Sequence, residues 1–423
     1  MIGESLIFLL INMLITIGFF KLFRTYANPA FVFALVWTSG LFLHLLFSFT
    51  LLPDILPISI PVHLIFTGGS LSFGLGALLA ELLSVKLACT SFPGIYKEGS
   101  DKISLQLRLF FLFLLAAILP FYVQKAINIV IASEIENFLM GLRWELTYGD
   151  ADYGWYKYII TLSIIAYAYC LIASIEKPSI VNRTITILTF LITLTYVVLF
   201  TGRTFFLMIL MIYLFVNFFL NPKFSLKRLI WLIPLALLIF VGIGLVLNKG
   251  GSLDDSFSDN LKSASELTGV YLVGGLSAFQ YEVSNLLNVG YNGMNSLRFF
   301  YLIGEKLGFS IPPDFKESPI QEFVYIPYET NVYTIYSPYI RDFGVLYAFV
   351  MLFIYGLIHT YIFIRAKQTK KTRFIIYCSL LMYPIVMAIF SDQYFSILST
   401  WLQIIIMVES IYLLNRFFIL KKI

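Results

Sequence analysis

The chain has 423 residues, of which 59% are hydrophobic and 13% charged, with a mean hydropathy of +0.87. Soluble domains carry about 25% charged residues, so a water-soluble fold of this size lacks the ionic groups to cover its surface. The formal net charge of +5 comes from basic residues scattered between apolar segments rather than striped, which argues against a nucleic-acid partner.

The apolar residues arrive in runs of about 17–23, the length that crosses a hydrocarbon core roughly 30 Å thick. Backbone groups in that solvent must be satisfied internally, and the runs do not alternate as barrel strands do, so they read as helices. In chain order the spans are expected at 5–20, 29–50, 61–83, 104–123, 156–175, 184–200, 204–220, 229–247, 343–364, 374–390 and 397–414. The expected fold is therefore all-α, a polytopic integral membrane protein with about 11 transmembrane helices, within a range of about 10–12. The first run has no basic residue before it and no small-residue cleavage site, so it reads as a retained anchor. Cys89, Cys170 and Cys378 all fall outside the expected outer loops, and no disulfide is expected.

Charge sets the expected orientation. With the N-terminus outside and the C-terminus cytoplasmic, about 19 of the 29 basic residues sit in inner loops or adjoining helix ends. Those include Lys21, Arg24, Lys86, Arg108, Lys177, Arg183, Arg365 and Arg373. Two outer segments are too long to be connectors. Residues 124–155 read as an amphipathic helix followed by an aromatic, acidic turn (Tyr148-Gly149-Asp150-Ala151-Asp152-Tyr153-Gly154-Trp155). Residues 248–342 open with a polar Gly/Ser/Asp stretch and continue with helices expected near 260–287 and 295–307. The chain thus divides into transmembrane helices 1–8 (1–247), one large, mostly helical extracytoplasmic loop (248–342) and transmembrane helices 9–11 (343–423).

Arg203 sits in the tight outer turn Thr201-Gly202-Arg203-Thr204, against the positive-inside bias. Either its guanidinium is aimed at a phosphate or diphosphate at headgroup level, or it snorkels to water and ordinary lipid. The densest polar cluster runs from Tyr325 to Gly344, where five tyrosines, Asn331, Thr330, Thr334, Arg341, Glu329 and Asp342 immediately precede a span. Aromatic faces with hydrogen-bonding tips suit sugars. The plainer alternative is an interfacial aromatic belt with an Arg341–Asp342 charge pair. His44 and His63 fall near the outer face, as candidate bases or as packing residues; His359, Glu81 and Glu409 read as structural, and Gly68-Gly69-Ser70…Gly74…Gly76 as a helix-packing face. There is no Walker motif or His/Cys metal spacing, so neither a cofactor nor a metal is expected.

The stretch Thr330-Asn331-Val332-Tyr333-Thr334, then Tyr339, then Asp342-Phe343-Gly344 entering a span, resembles the signature of O-antigen and capsule repeat-unit polymerases, the Wzy-like family. The resemblance extends over the chain in its many spans, basic mid-chain turn and large late outer loop. Arg143 followed by Gly154 is similar to a second arginine–glycine feature of that family.

The resemblance implies a bacterial inner-membrane glycosyltransferase with a periplasmic active face and an architecture like that of GT-C-type lipid-linked glycan transferases. It would move a glycan from undecaprenyl diphosphate to the non-reducing sugar of the next lipid-linked unit. Its implied partners are undecaprenyl-diphosphate-linked oligosaccharide, membrane lipids and a Wzz-like chain-length-regulating co-polymerase. Such a reaction needs cations where the diphosphate charge develops and a base for the attacking hydroxyl. Arg203 and Arg341 are the expected diphosphate ligands, with Arg298 as a third candidate, and Arg143 is a further expected substrate-binding residue. Asn331, Tyr333, Thr334, Tyr336 and Tyr339 are expected to contact sugars. Glu329 or Asp342 is the expected base, with Glu282 behind them. An O-antigen ligase shares these features, and a lipid-linked oligosaccharide flippase or transporter is the alternative from another class.

Overall fold

The computed structural model describes residues 2–90, 103–133, 135, 137–149, 151–224, 257–285, 292–311, 323–326 and 329–420. Its helices are α1 (Ile2–Phe23), α2 (Pro29–Phe49), α3 (Ile60–Thr90), α4 (Leu105–Ser133), α5 (Phe138–Thr147), α6 (Lys157–Glu176), α7 (Ile180–Leu199) and α8 (Arg203–Leu220). After them come α9 (Phe257–Asn285), α10 (Arg298–Lys306), α11 (Tyr336–Phe343), α12 (Val345–Thr369), α13 (Thr372–Met387) and α14 (Leu398–Leu420). Two two-residue strands, β1 (Val324–Tyr325) and β2 (Glu329–Thr330), pair antiparallel with Val324 opposite Thr330.

Among the described residues, eight helices are long and apolar enough to cross a membrane: α1, α2, α3, α4, α6, α7, α12 and α14. Helices α8 and α13 are apolar but shorter. The chain is an all-α, multi-pass membrane protein. The span expected at 229–247 lies outside the described residues. The expected amphipathic helix after residue 124 is resolved differently: α4 continues to Ser133, and a separate short helix, α5, follows before the turn at Tyr153.

The chain forms two compact units. The first comprises Met1–Ser91, Asn248–Ile364 and Pro384–Ser399, so the long segment at 248–342 shares a body with the first three helices. Helix α2 begins where Asn28, in extended conformation, accepts a hydrogen bond from the Ala30 amide and Pro29 fills the first helical position. Polar side chains tie the spans together: Asn12 donates to Thr67 at 3.0 Å, and the Thr16 and Thr38 hydroxyls lie 2.8 Å apart. Without water between helices, such bonds and close van der Waals approach replace hydrophobic exclusion as the cohesive terms. Glycines supply the approach. A methyl on Gly76 would strike the Phe353 carbonyl and one on Gly356 the Phe73 carbonyl, so α3 and α12 meet backbone to backbone.

Helix α9 docks on α2 and α3 through small and polar residues. The Ser277 hydroxyl donates to the Leu56 carbonyl at 2.8 Å and lies 2.9 Å from His44 Nε2, and the Gln280 side chain accepts from the Ser59 amide at 2.7 Å. Phe279 packs with Phe66, extending an aromatic core that includes Trp37 and Tyr336.

The second unit comprises Phe92–Leu247, Arg365–Tyr383 and Thr400–Ile423. Helices α6 and α7 pack along a threonine stripe: Thr186 donates to the Cys170 carbonyl at 2.9 Å and Thr193 to the Ser163 carbonyl at 3.1 Å. Tyr196 reaches from α7 to the Leu115 carbonyl of α4 at 2.8 Å. Helices α13 and α14 join through Glu409, which accepts from Arg373 at 3.0 Å and Tyr377 at 2.9 Å.

Candidate functional site

Residues 329–344 of the cluster fold as β2, an extended passage and the short helix α11, which ends where Gly344 takes a left-handed φ of 82° before α12 begins. Only glycine makes that turn without Cβ strain. Arg341 in the last turn of α11 is paired through Nε with Oε1 of Glu282 on α9. Ser337 donates to the same carboxylate oxygen at 3.0 Å, and the Arg341 guanidinium lies 5.5 Å from the centre of the Tyr333 ring. Glu282 is 1% exposed, and its Oε2 is buried with no hydrogen-bond partner among the described residues. The cation is thus held between a buried carboxylate and an aromatic face, directly before a candidate span.

Asp342 does different work. Its Oδ1 accepts from the amide and side chain of Asn295 at 3.1 and 2.8 Å, and its Oδ2 from the amide and hydroxyl of Ser296 at 2.6 and 2.7 Å. Four donors on a carboxylate that is 1% exposed consume its lone pairs. Neither the expected role as base nor the alternative Arg341–Asp342 pair describes it: Asp342 is a latch that fixes the turn preceding α10. Arg298, the first residue of α10, lies two residues beyond that latch, and partial burial lowers its pKa from the usual arginine value.

The tyrosines expected to face sugars are internal. Tyr336 is fully buried against Trp37, Phe66 and Phe279, under Gly69, where a methyl would collide with its hydroxyl; that hydroxyl donates to the Phe66 carbonyl at 3.3 Å. Tyr339 is equally buried, bonded to Asp392 at 2.7 Å and to the Tyr355 hydroxyl at 2.6 Å. Burial raises the pKa of both phenols. Tyr333 is buried beneath Arg341, and the buried Thr334 hydroxyl has no hydrogen-bond partner among the described residues. These residues build the floor of the cluster, because their rings fill the space between α2, α3, α9 and α12. Glu329 is exposed on β2 and Asn331 partly so.

The histidines brace helices. His63 stacks on Phe8 with ring centres 4.9 Å apart and lies 3.2 Å from the Ser5 hydroxyl, while His44 is shared between Ser277 and the Leu56 carbonyl. Arg203 is the first residue of α8, following Thr201 at φ 57°; its side chain lies outside the described part of the structure. The turn it opens is anchored by Tyr153, which donates to the Leu199 carbonyl at 2.8 Å. Arg143 lies on α5, partly buried. Arg203 and Arg143 belong to the second unit, the other candidates to the first.

Sequence reasoning missed Asp392. It sits in the non-helical stretch between α13 and α14, 4% exposed, with Oδ1 also accepting from the Tyr394 amide at 3.0 Å and Oδ2 from the Ser396 amide at 2.9 Å. Tyr394 in turn reaches His359 at 3.0 Å. Burial raises the Asp392 pKa, against the opposing hydrogen bonds from Tyr339, Ser396 and Tyr394. The signal was the run Ser391-Asp392-Gln393-Tyr394 between two spans, which reads as a solvated turn. Among the described residues no group of three or more His, Cys, Asp or Glu side chains is placed to hold a metal ion. No family model, curated protein or solved structure matches the chain.

Proposed function

We propose that this protein polymerises lipid-linked oligosaccharide repeat units, at the end of the first unit's spans where Arg341 lies. The observation that carries the reading is the mounting of Arg341: a guanidinium oriented by Glu282 and Tyr333, one short turn before α12. A cation fixed at a helix–membrane boundary is suited to a polyprenyl diphosphate, since preorganised charge stabilises a leaving group without reorganisation.

In the proposed reaction, the acceptor hydroxyl oxygen attacks the anomeric carbon of the lipid-linked sugar. The bond from that carbon to the diphosphate oxygen breaks, and undecaprenyl diphosphate departs with the bonding electrons. The hydroxyl proton passes to a carboxylate. With Asp342 committed to Asn295 and Ser296, Glu329 is the base in this scheme, and Asn331 beside it orients the acceptor. Arg203, in the second unit, is proposed by itself as a phosphate-binding arginine. The orientation with this face periplasmic, in a bacterial inner membrane, and a chain-length-regulating partner belong to the same proposal.

Purified protein incubated with a lipid-linked repeat unit should give a ladder of products. Arg203→Ala should abolish it at normal protein level, and Arg341→Lys, which leaves Glu282 a cation, should give little ladder, because a point charge does not replace a planar fork. A single transfer onto a lipid A core in place of the ladder identifies a ligase. One observation favours a transporter: the helical break that places Asp392 in a buried network with Tyr339 and, through Tyr394, His359. Movement of the lipid-linked unit across a liposome bilayer, with no ladder, would establish that reading instead.

A further inference from the structure

A cavity of about 370 Å³ opens in the second unit between the first turns of α4, the last turn of α6 and the start of α7. That volume falls within the range of roughly 300–1,000 Å³ typical of small-molecule sites. On its wall is Arg108, only 7% exposed. One guanidinium nitrogen donates to the Asn182 side-chain oxygen at 2.9 Å, and Nε is buried without a hydrogen-bond partner among the described residues. Asn182 is held in turn: its side-chain amide donates to the Lys177 carbonyl at 2.7 Å, and its backbone N–H donates to the Ser179 hydroxyl at 3.1 Å.

The charge accounting is what calls for a ligand. A buried guanidinium costs several kcal/mol to desolvate unless an anion compensates it. Arg108 receives a neutral amide, and it makes no ion pair with a carboxylate among the described residues. Glu176 and Lys177 also line the cavity. Tyr169 and Thr372 complete the wall, with the Tyr169 hydroxyl donating to the Val408 carbonyl at 3.1 Å. Arg108, Lys177 and Asn182 lie within about a turn of the ends of candidate spans, and the phosphate groups of a bilayer flank its hydrocarbon core.

We infer that this cavity binds a phosphate group, received by Arg108 and flanked by Lys177. The phosphate belongs either to an anionic lipid headgroup or to a soluble phosphate, and the inference does not depend on the polymerase reading.

The test uses the full-length protein in dodecyl maltoside, with thermal unfolding followed against dihexanoyl phosphatidylglycerol in one series and inorganic phosphate in another. Chloride at matched ionic strength is the reference. A rise in Tm with the lipid alone assigns the site to a headgroup; a rise with inorganic phosphate assigns it to a soluble anion. Arg108→Met should weaken the response by about tenfold or more, as loss of a charge-assisted hydrogen bond does. Asn182→Asp puts a carboxylate where the amide oxygen now touches Arg108, neutralising it from within, and should suppress the response to the same degree without removing the arginine. Should Arg108→Met fail to fold, Asn182→Asp decides alone. The inference is overturned if neither anion raises Tm above chloride, or if Asn182→Asp responds as the unaltered protein does.

Discussion

Arg341 and Arg108 are both guanidiniums withdrawn from water, one in each compact unit, and they are neutralised in different ways. Arg341 keeps 18% of its side chain exposed and is paired with a buried glutamate over a tyrosine ring. Arg108 is more deeply buried and has an asparagine. A carboxylate within bonding distance cancels the charge inside the fold and makes the arginine a fixed, oriented part. An amide satisfies one donor and leaves the charge for something else to balance. The same residue type is therefore mounted as a positioned cation in one place and as a receptor for an anion in the other.

The sharpest way to break this comparison is to remove the carboxylate. Glu282→Ala strands Arg341 and strips the Ser337 hydroxyl of its acceptor; breaking a buried pair costs about 3–5 kcal/mol, and partial exposure of Arg341 sets the expectation near 3. Denaturant titration in detergent measures it. A loss under about 1 kcal/mol would mean that Arg341 is solvated like a surface charge and is not a preorganised cation.

Next in size is Asp342→Ala, which deletes four hydrogen bonds to Asn295 and Ser296. With two backbone amides left inside, about 2–3 kcal/mol is expected, together with faster proteolysis around residue 295. Intact resistance there would show that the turn before α10 holds without its latch. Smaller still is Arg108→Met in the absence of anions. Exchanging an uncompensated buried charge for an apolar side chain of similar length is often neutral or stabilising, so stability should change by less than about 1 kcal/mol or rise. A loss of about 3 kcal/mol would place Arg108 with Arg341, as a cation already balanced by the fold.

How much of this was legible before the structure depends on the distance over which each residue finds its partner. The spans announce themselves because hydropathy is a local sum, and Gly68 to Gly76 reads as a packing face because glycines at helical spacing have few other uses in a span. Asp342 does not: Asn295 and Ser296, which claim it, lie 47 and 46 residues away, so the sequence shows only its neighbour Arg341, with which it does not pair. The tyrosines misled for a related reason. A ring that suits a sugar equally suits a packed core, and only the positions of Trp37, Phe66 and Gly69 decide that Tyr336 faces inward. Arg108 was hidden among basic residues at an inner helix end, where charge is expected and draws no notice.

The last effect, read only as a slope with pH, concerns carboxylates and carries the comparison over to acids. Asp342 is surrounded by four donors, whereas Asp392 has Tyr339 and the amides of Tyr394 and Ser396, with burial dominating, so its pKa lies above the ordinary carboxylate value. A pKa that is higher folded than unfolded means the folded protein holds the proton more tightly. The associated stability is complete below about pH 4 and is lost as pH rises through the folded value, at up to about 1.4 kcal/mol per pH unit within that window. Asp392→Asn removes the titration while keeping an oxygen for the Tyr339 hydroxyl. The Tm of Asp392→Asn minus that of the unaltered protein should therefore climb as pH is raised from about 4, then level off once Asp392 is ionised in both states. A difference that stays constant with pH would show Asp392 ionised throughout. Its hydrogen bonds would then outweigh its burial.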